Sequence, residues 1–226
     1  MQALDFEWKD VVMIEYYPVV TGPLGENCYL VWKDSEAWII DPGTDPEEII
    51  AELENRNLTP AVIVLTHGHF DHLGALDTLL TRWPSLPVVM REEDAEWAFT
   101  HAFNQYPPFY MHQKRPQTLV MAGDTYTCGG LTARFLHTPG HTPGGHCILF
   151  ERDGEAPLCF TGDTLFKASV GRTDLPGGSF LQLGASLKFL AETLPPETTI
   201  LSGHGDASTM AWELNFNPYL RGEEEF

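Results

Sequence analysis

Thr66-His67-Gly68-His69-Phe70-Asp71-His72, the stretch T-H-G-H-F-D-H, decides how this chain is read. Between positions 67 and 72 it packs three imidazoles and a carboxylate, donors that suit zinc, iron and manganese. It follows an apolar run, Ala61 to Leu65 (A-V-I-V-L), that reads as a buried strand, and it precedes an apolar-periodic segment. Loops at strand ends are where a rigid scaffold presents its chemistry, and a merely polar histidine-rich loop has no need of that placement.

Upstream, the apolar and aromatic residues of Val11 to Val20 predict a strand, and T-G-P-L-G-E-N (Thr21 to Asn27) a turn-rich loop. Cys28 to Trp32 and Ala37 to Ile40 predict two more strands, so the chain opens as a β-meander. Pro46 to Asn55 sets Ile49, Ile50 and Leu53 on one side, with acids in its first turn and Asp45 placed to cap it; a helix follows. Leu73 to Trp83 and Glu92 to Thr100 read as further helices around a short strand, Pro87 to Met90. This alternation is βαβ-like.

His101 to Arg115 interrupts the rhythm with four aromatics and two prolines. It reads either as a lid that walls a pocket or as a surface excursion whose aromatics dock on the body, and His101 and His112 read as surface histidines. Strands resume at Leu131 to His137, Cys147 to Glu151, Ala156 to Thr161 and Thr199 to Leu201. Helices are expected at Phe180 to Thr193, where Leu183, Leu187 and Leu190 fall at core-packing spacing, and at Ser208 to Asn215.

The 226 residues, 43% hydrophobic, suffice for one sizeable core, and a single domain over 1–226 is expected. A formal net charge of -19 with no Lys or Arg run argues against nucleic acid and anionic membranes as partners. The N-terminus has no positive n-region or apolar h-region, and no apolar stretch approaches membrane-spanning length, so a cytoplasmic location is expected. Cys28, Cys128, Cys147 and Cys159 form no C-x-x-C pair and read as reduced thiols.

Three later motifs each put a metal-competent side chain just past an apolar strand. L-H-T-P-G-H-T-P-G-G (Leu136 to Gly145) offers His141, with His137 and His146 read as structural. C-F-T-G-D-T-L-F (Cys159 to Phe166) offers Asp163, the lone carboxylate of an apolar tract. L-S-G-H-G-D (Leu201 to Asp206) sets His204 between glycines, where a side chain beside it would crowd a ligand. With His67, His69, Asp71 and His72 these donors are too many for one tetrahedral zinc but suit two adjacent ions about 3.5–4 Å apart.

On T-H-G-H-F-D-H, His141, Gly162-Asp163 and Gly203-His204-Gly205 the chain resembles the metallo-β-lactamase superfamily. Through H-T-P-G-H-T-P-G, G-D-T-L-F, S-V-G-R-T-D and N-P-Y-L it resembles that superfamily's short glyoxalase II-like hydrolases, from about Asn27 to Leu220. The resemblance implies an α/β, four-layer αβ/βα sandwich of two mixed sheets flanked by helices. It implies one ion on His67, His69 and His141, a second on Asp71, His72 and His204, Asp163 bridging, and Asp41 (I-I-D-P-G) orienting the ligands from behind. Two divalent metal ions are expected, zinc first, with iron or manganese as alternatives.

The implied chemistry is thioester hydrolysis. A water shared by two cations falls from a pKa of 15.7 toward about 7, and Asp71 would steer it or accept its proton. A small-molecule thioester, such as a hydroxyacylglutathione, is the expected substrate, and Arg172 stands near the family's glutathione-binding cation. The long glyoxalase II enzymes carry an additional helical C-terminal region that this sequence does not show after N-P-Y-L. An ion pair with Asp174 is the other reading of Arg172. Competing functions are a mononuclear Fe(II) persulfide dioxygenase using His67, His141 and Asp163, a β-lactamase or lactonase, and a non-catalytic zinc-stabilised binding module.

Overall fold

A computed structural model describes residues 13–98, 118–151 and 154–224. The expected lid at 101–115 lies outside the described residues, as do His101 and His112. Strands β1 (Glu15–Thr21), β2 (Glu26–Lys33) and β3 (Glu36–Ile40) form the antiparallel meander. Helix α1 (Pro46–Asn55) leads to β4 (Thr59–Val64), which lies parallel to β3. Then come α2 (Phe70–Leu73), α3 (Leu76–Arg82), β5 (Val88–Arg91), α4 (Glu92–Ala98) and β6 (Thr118–Val120), with β4, β5 and β6 in parallel. Spatial order in this first sheet is β1 to β6.

The second sheet begins with four antiparallel strands, β7 (Thr125–Cys128), β8 (Leu131–His137), β9 (His146–Phe150) and β10 (Leu158–Gly162). A small ribbon, β11 (Leu165–Phe166) with β12 (Ser169–Val170), and helix α5 (Phe180–Thr193) follow. β13 (Thr199–Ser202) joins β10 in parallel, β14 (Ser208–Thr209) closes the edge, and α6 (Met210–Phe216) comes next.

Strand β3 shows why this becomes four layers. Its residues alternate between faces, and both faces are buried, so it reads as a continuous apolar run. Ala37 and Ile39 enter a core with Ile49 and Leu53 of α1 and Leu76, Leu79 and Leu80 of α3. Trp38 and Ile40 enter a second core with Phe135, Ile148, Phe150 and Phe160 of the other sheet. Trp38 fastens the two sheets, meeting Phe150 edge-on and donating its indole N–H to the Cys128 carbonyl at 2.9 Å. A third core packs Cys147, Leu149 and Cys159 against Leu183, Leu187 and Leu190 of α5. The order is helix, sheet, sheet, helix, as the resemblance implies. All four cysteines are free thiols. No helix among the described residues is long and apolar enough to cross a membrane.

Three expectations are corrected. Asp45 stands at the N-cap of α1, but its side chain caps nothing; it accepts the Gly22 N–H at 2.8 Å instead. The helix expected over Leu73 to Trp83 is broken between α2 and α3. Ala75 donates its N–H to the Gly43 carbonyl at 2.7 Å, and a Cβ on Gly74 would lie 2.7 Å from Thr44 Cγ2, so close passage by the Asp41-Pro42-Gly43 turn outcompetes the helical ladder. The segment expected to be helical from Ser208 spends Ser208 and Thr209 on β14 before α6 starts, with Thr209 as N-cap accepting from Trp212.

Candidate metal centre

β3 and β4 run in the same direction, as do β8, β10 and β13. Each ends at a candidate residue: Asp41 after β3, His67 after β4, His141 after β8, Asp163 after β10, His204 after β13. The two sheets face each other across a common core, so these carboxyl ends meet at one edge. Asp71 and His72 arrive on α2, which places them one turn beyond His69.

All seven expected ligands are brought together. Ligating atoms of His67, His69 and His141 lie within 4.8 Å of one another, and so do those of Asp71, His72 and His204. His69 Nδ1 and His141 Nε2 approach to 2.7 Å. Asp163 stands between the groups: Oδ1 is 3.3 Å from His72 Nε2, and Oδ2 is 3.4 Å from His141 Nε2 and 3.7 Å from His204 Nε2. Asp71 Oδ2 is 3.3 Å from His204 Nε2.

Hydrogen bonds made on the far sides of these rings fix which nitrogen faces inward. His141 Nδ1 must carry a proton, because it lies 2.7 Å from the Arg172 carbonyl, which can only accept. His204 Nδ1 donates likewise to the Leu24 carbonyl at 3.2 Å. Thr66 gives its hydroxyl proton to Asp41 Oδ2 at 2.6 Å, so the 3.0 Å contact with His67 is a bond donated by Nδ1. His72 Nδ1 donates to Asp41 Oδ2 at 3.0 Å. Four imidazoles therefore turn Nε2 toward one point. Asp41 holds this arrangement with its backbone in the left-handed region, φ 49°, and takes the Thr66 N–H on Oδ1 at 2.7 Å.

These residues fit divalent cations. His67 Nε2, His72 Nε2 and Asp163 Oδ1 are buried without a hydrogen-bond partner, a cost that a coordinated ion removes. Charge points the same way. Burial drives His67 well below the ordinary histidine range and His69 down to about 3, so both are neutral, as ligands must be. Burial also disfavours charge on His72, but Asp163, Asp71 and Asp41 outweigh it and hold its pKa well above normal. For Asp163 and Asp71 burial is likewise overcome, chiefly by His72, and both are held below the usual carboxylate range. A proton on His72 thus supplies positive charge that a metal would replace.

Asp41 sits on the Nδ1 side of the His72 ring and also accepts the Thr66 hydroxyl. Arg172 forms a two-pronged ion pair with Asp174, at 2.6 and 2.7 Å, on an exposed surface. His137 and His146 stay out of the donor cluster: His137 Nε2 contacts the Pro143 carbonyl at 3.0 Å and His146 Nδ1 the Gly144 carbonyl at 3.2 Å. Sequence reasoning missed three groups. Thr66 relays between His67 and Asp41, and its place at the head of the quoted stretch was the available signal. Glu26 accepts from Thr21 and sits 3.7 Å from His72, with burial lifting its pKa well above normal. Asp94 touches both ligand-bearing loops. No motif marks the latter two.

A family model described as the metallo-beta-lactamase superfamily matches residues 21–204. The chain is similar to the hydroxyacylglutathione hydrolase GloC of Haemophilus influenzae, 33% identical over 215 residues that cover 93% of this chain and 99% of the relative. Among solved structures it is similar to the BLEG-1 B3 metallo-beta-lactamase (TM-score 0.85, 36% identity, covering 91% of this chain and 99% of that one). It is also similar to TTHA1623 in a di-iron-bound form (TM-score 0.78, 38% identity, covering 90% and 100%).

Proposed function

From the premise that this chain belongs to the metallo-beta-lactamase superfamily and is a metallo-hydrolase of it, we propose that it hydrolyses thioesters, with a hydroxyacylglutathione as the substrate class. His67, His69 and His141 would hold one divalent cation, Asp71, His72 and His204 a second, and Asp163 would bridge. When bound, such a pair polarises an acyl carbonyl and makes hydroxide available near neutral pH.

One observation carries the choice of a thioester. The imidazole protons are turned outward, spent on the Arg172 and Leu24 carbonyls, Thr66 and Asp41, and the Thr66 proton is spent on Asp41. With a metal in place of the His72 proton, the inward faces of these rings would be lone pairs spent on the cation. A leaving group that needs a strong acid is poorly served by such a site, whereas a thiolate departs unaided because its conjugate acid has a pKa near 8.5. Asp71, with one oxygen within reach of both His72 and His204, is the carboxylate placed to orient the attacking water or take its proton. Arg172 is the cation that would receive a substrate carboxylate, exchanging it for Asp174.

The test is thiol release from S-lactoylglutathione, followed with a thiol reagent, by metal-replete and chelator-treated protein. Release that depends on metal supports the assignment. A rate equal to the metal-free blank removes it, and oxygen uptake with a glutathione persulfide on iron-loaded protein would put the dioxygenase in its place.

A further inference from the structure

Asp94, on α4, belongs to none of the seven donors, yet it is 1% exposed and reaches both loops that carry the three-histidine group. Gly68, between His67 and His69, donates its N–H to Asp94 Oδ2 at 2.9 Å. Gly144, three residues past His141, donates its N–H to Oδ1. The fit is tight on both sides. A Cβ on Gly144 would lie 2.6 Å from the Asp94 nitrogen, and one on Gly68 2.9 Å from Ala98 Cβ on the same helix. A buried carboxylate is costly, and here its oxygens are spent on two neutral amides from separate loops rather than on a cation.

We propose that Asp94 is a positioning residue for the three-histidine half of the centre, a clamp that sets the spacing of His67 and His69 relative to His141. The inference rests on reading those imidazoles as the ligands of one ion. It is specific to that half. His72 is steadied by Asp41 and His204 by Leu24, and neither pair of contacts involves Asp94. Loss of the clamp therefore weakens one cation site and spares the other.

The experiment compares the full wild-type chain with Asp94→Asn and Asp94→Ala in cobalt titrations against a chromophoric chelator, together with thermal unfolding of the metal-free and cobalt-loaded forms. Asp94→Ala is expected to lower the affinity of one of two equivalents by about 10–100-fold and leave the other unchanged. Asp94→Asn keeps one acceptor oxygen and turns a donor toward the other amide, so a smaller loss in the same equivalent follows. In cobalt-loaded protein the shifted imidazole N–H resonances of His67 and His141 should move or vanish while those of His72 and His204 persist. A purely structural role lowers Tm equally with and without metal, whereas a clamp shrinks the rise in Tm that metal produces.

Two equivalents at wild-type affinity in the variants overturn the proposal, whatever their Tm. Should Asp94→Ala fail to fold, Asp94→Asn decides by the same readouts. Wild-type protein that takes up no cobalt overturns the two-cation reading and the proposal with it. Metal uptake without thioesterase activity overturns only the substrate assignment.

Discussion

Thr66 accepts a hydrogen bond from His67 Nδ1 and donates its own to Asp41, which makes it a residue on which the His67 ring orientation depends. Thr66→Val keeps the shape and deletes the relay, leaving a buried N–H without an acceptor. The expected outcome is a loss of about 1–3 kcal/mol in stability and about 10–100-fold in metal affinity, read by denaturant unfolding and chelator competition. His146 gives a pH test independent of the donors. Burial holds its pKa near 3, below the unfolded value of about 6.5, so acid protonates the unfolded chain first. The stability contributed by its neutral form is fully present above pH ~6.5 and falls by ~1.4 kcal/mol per pH unit as pH drops toward 3. His146→Phe, beside Phe135, should remove that increment of slope from the metal-free protein; an unchanged slope contradicts it. At this scale the sequence made the seven donors legible because each follows an apolar run or sits in a dense motif. Glu26 and Asp94 were illegible because a carboxylate's burial depends on distant elements.

Among the elements, the loop after β13 is closely confined by the donor cluster. A Cβ on Gly203 would lie 2.5 Å from Asp163 Oδ1 and 2.6 Å from His72 Cε1, both parts of the donor cluster. Gly203→Ala should displace Asp163, reduce bound metal from two ions to one and cost about 100-fold in rate while the protein stays folded. Elemental analysis beside circular dichroism checks this, and two ions at full activity would contradict it. The outer helix gives a control away from the site. Leu187 on α5 is 2% exposed in the third core, so Leu187→Ala should cost about 2–5 kcal/mol without changing metal content. Helix α1 and helix α5 were legible to their ends from apolar spacing. The break between α2 and α3 was not, because the Gly43 carbonyl that claims Ala75 is distant in sequence. The ribbon of β11 and β12 and the edge strand β14 are two residues per strand, too short to show a period.

Across the whole molecule, function follows from direction. β3 and β4 in one sheet, and β8, β10 and β13 in the other, deliver their carboxyl ends to one edge, and a shared core of Trp38, Phe135, Phe150 and Phe160 holds those ends in register. The sequence shows strand, then ligand, repeated along the chain. It does not show that the strands are aligned, which is a property of pairing; the resemblance supplied that step. Native mass spectrometry of the folded chain, equilibrated with zinc and desalted, tests the central claim most directly. The account predicts two ions per chain, falling to one or none in Asp163→Asn. A single ion in the wild type, or none, would contradict it.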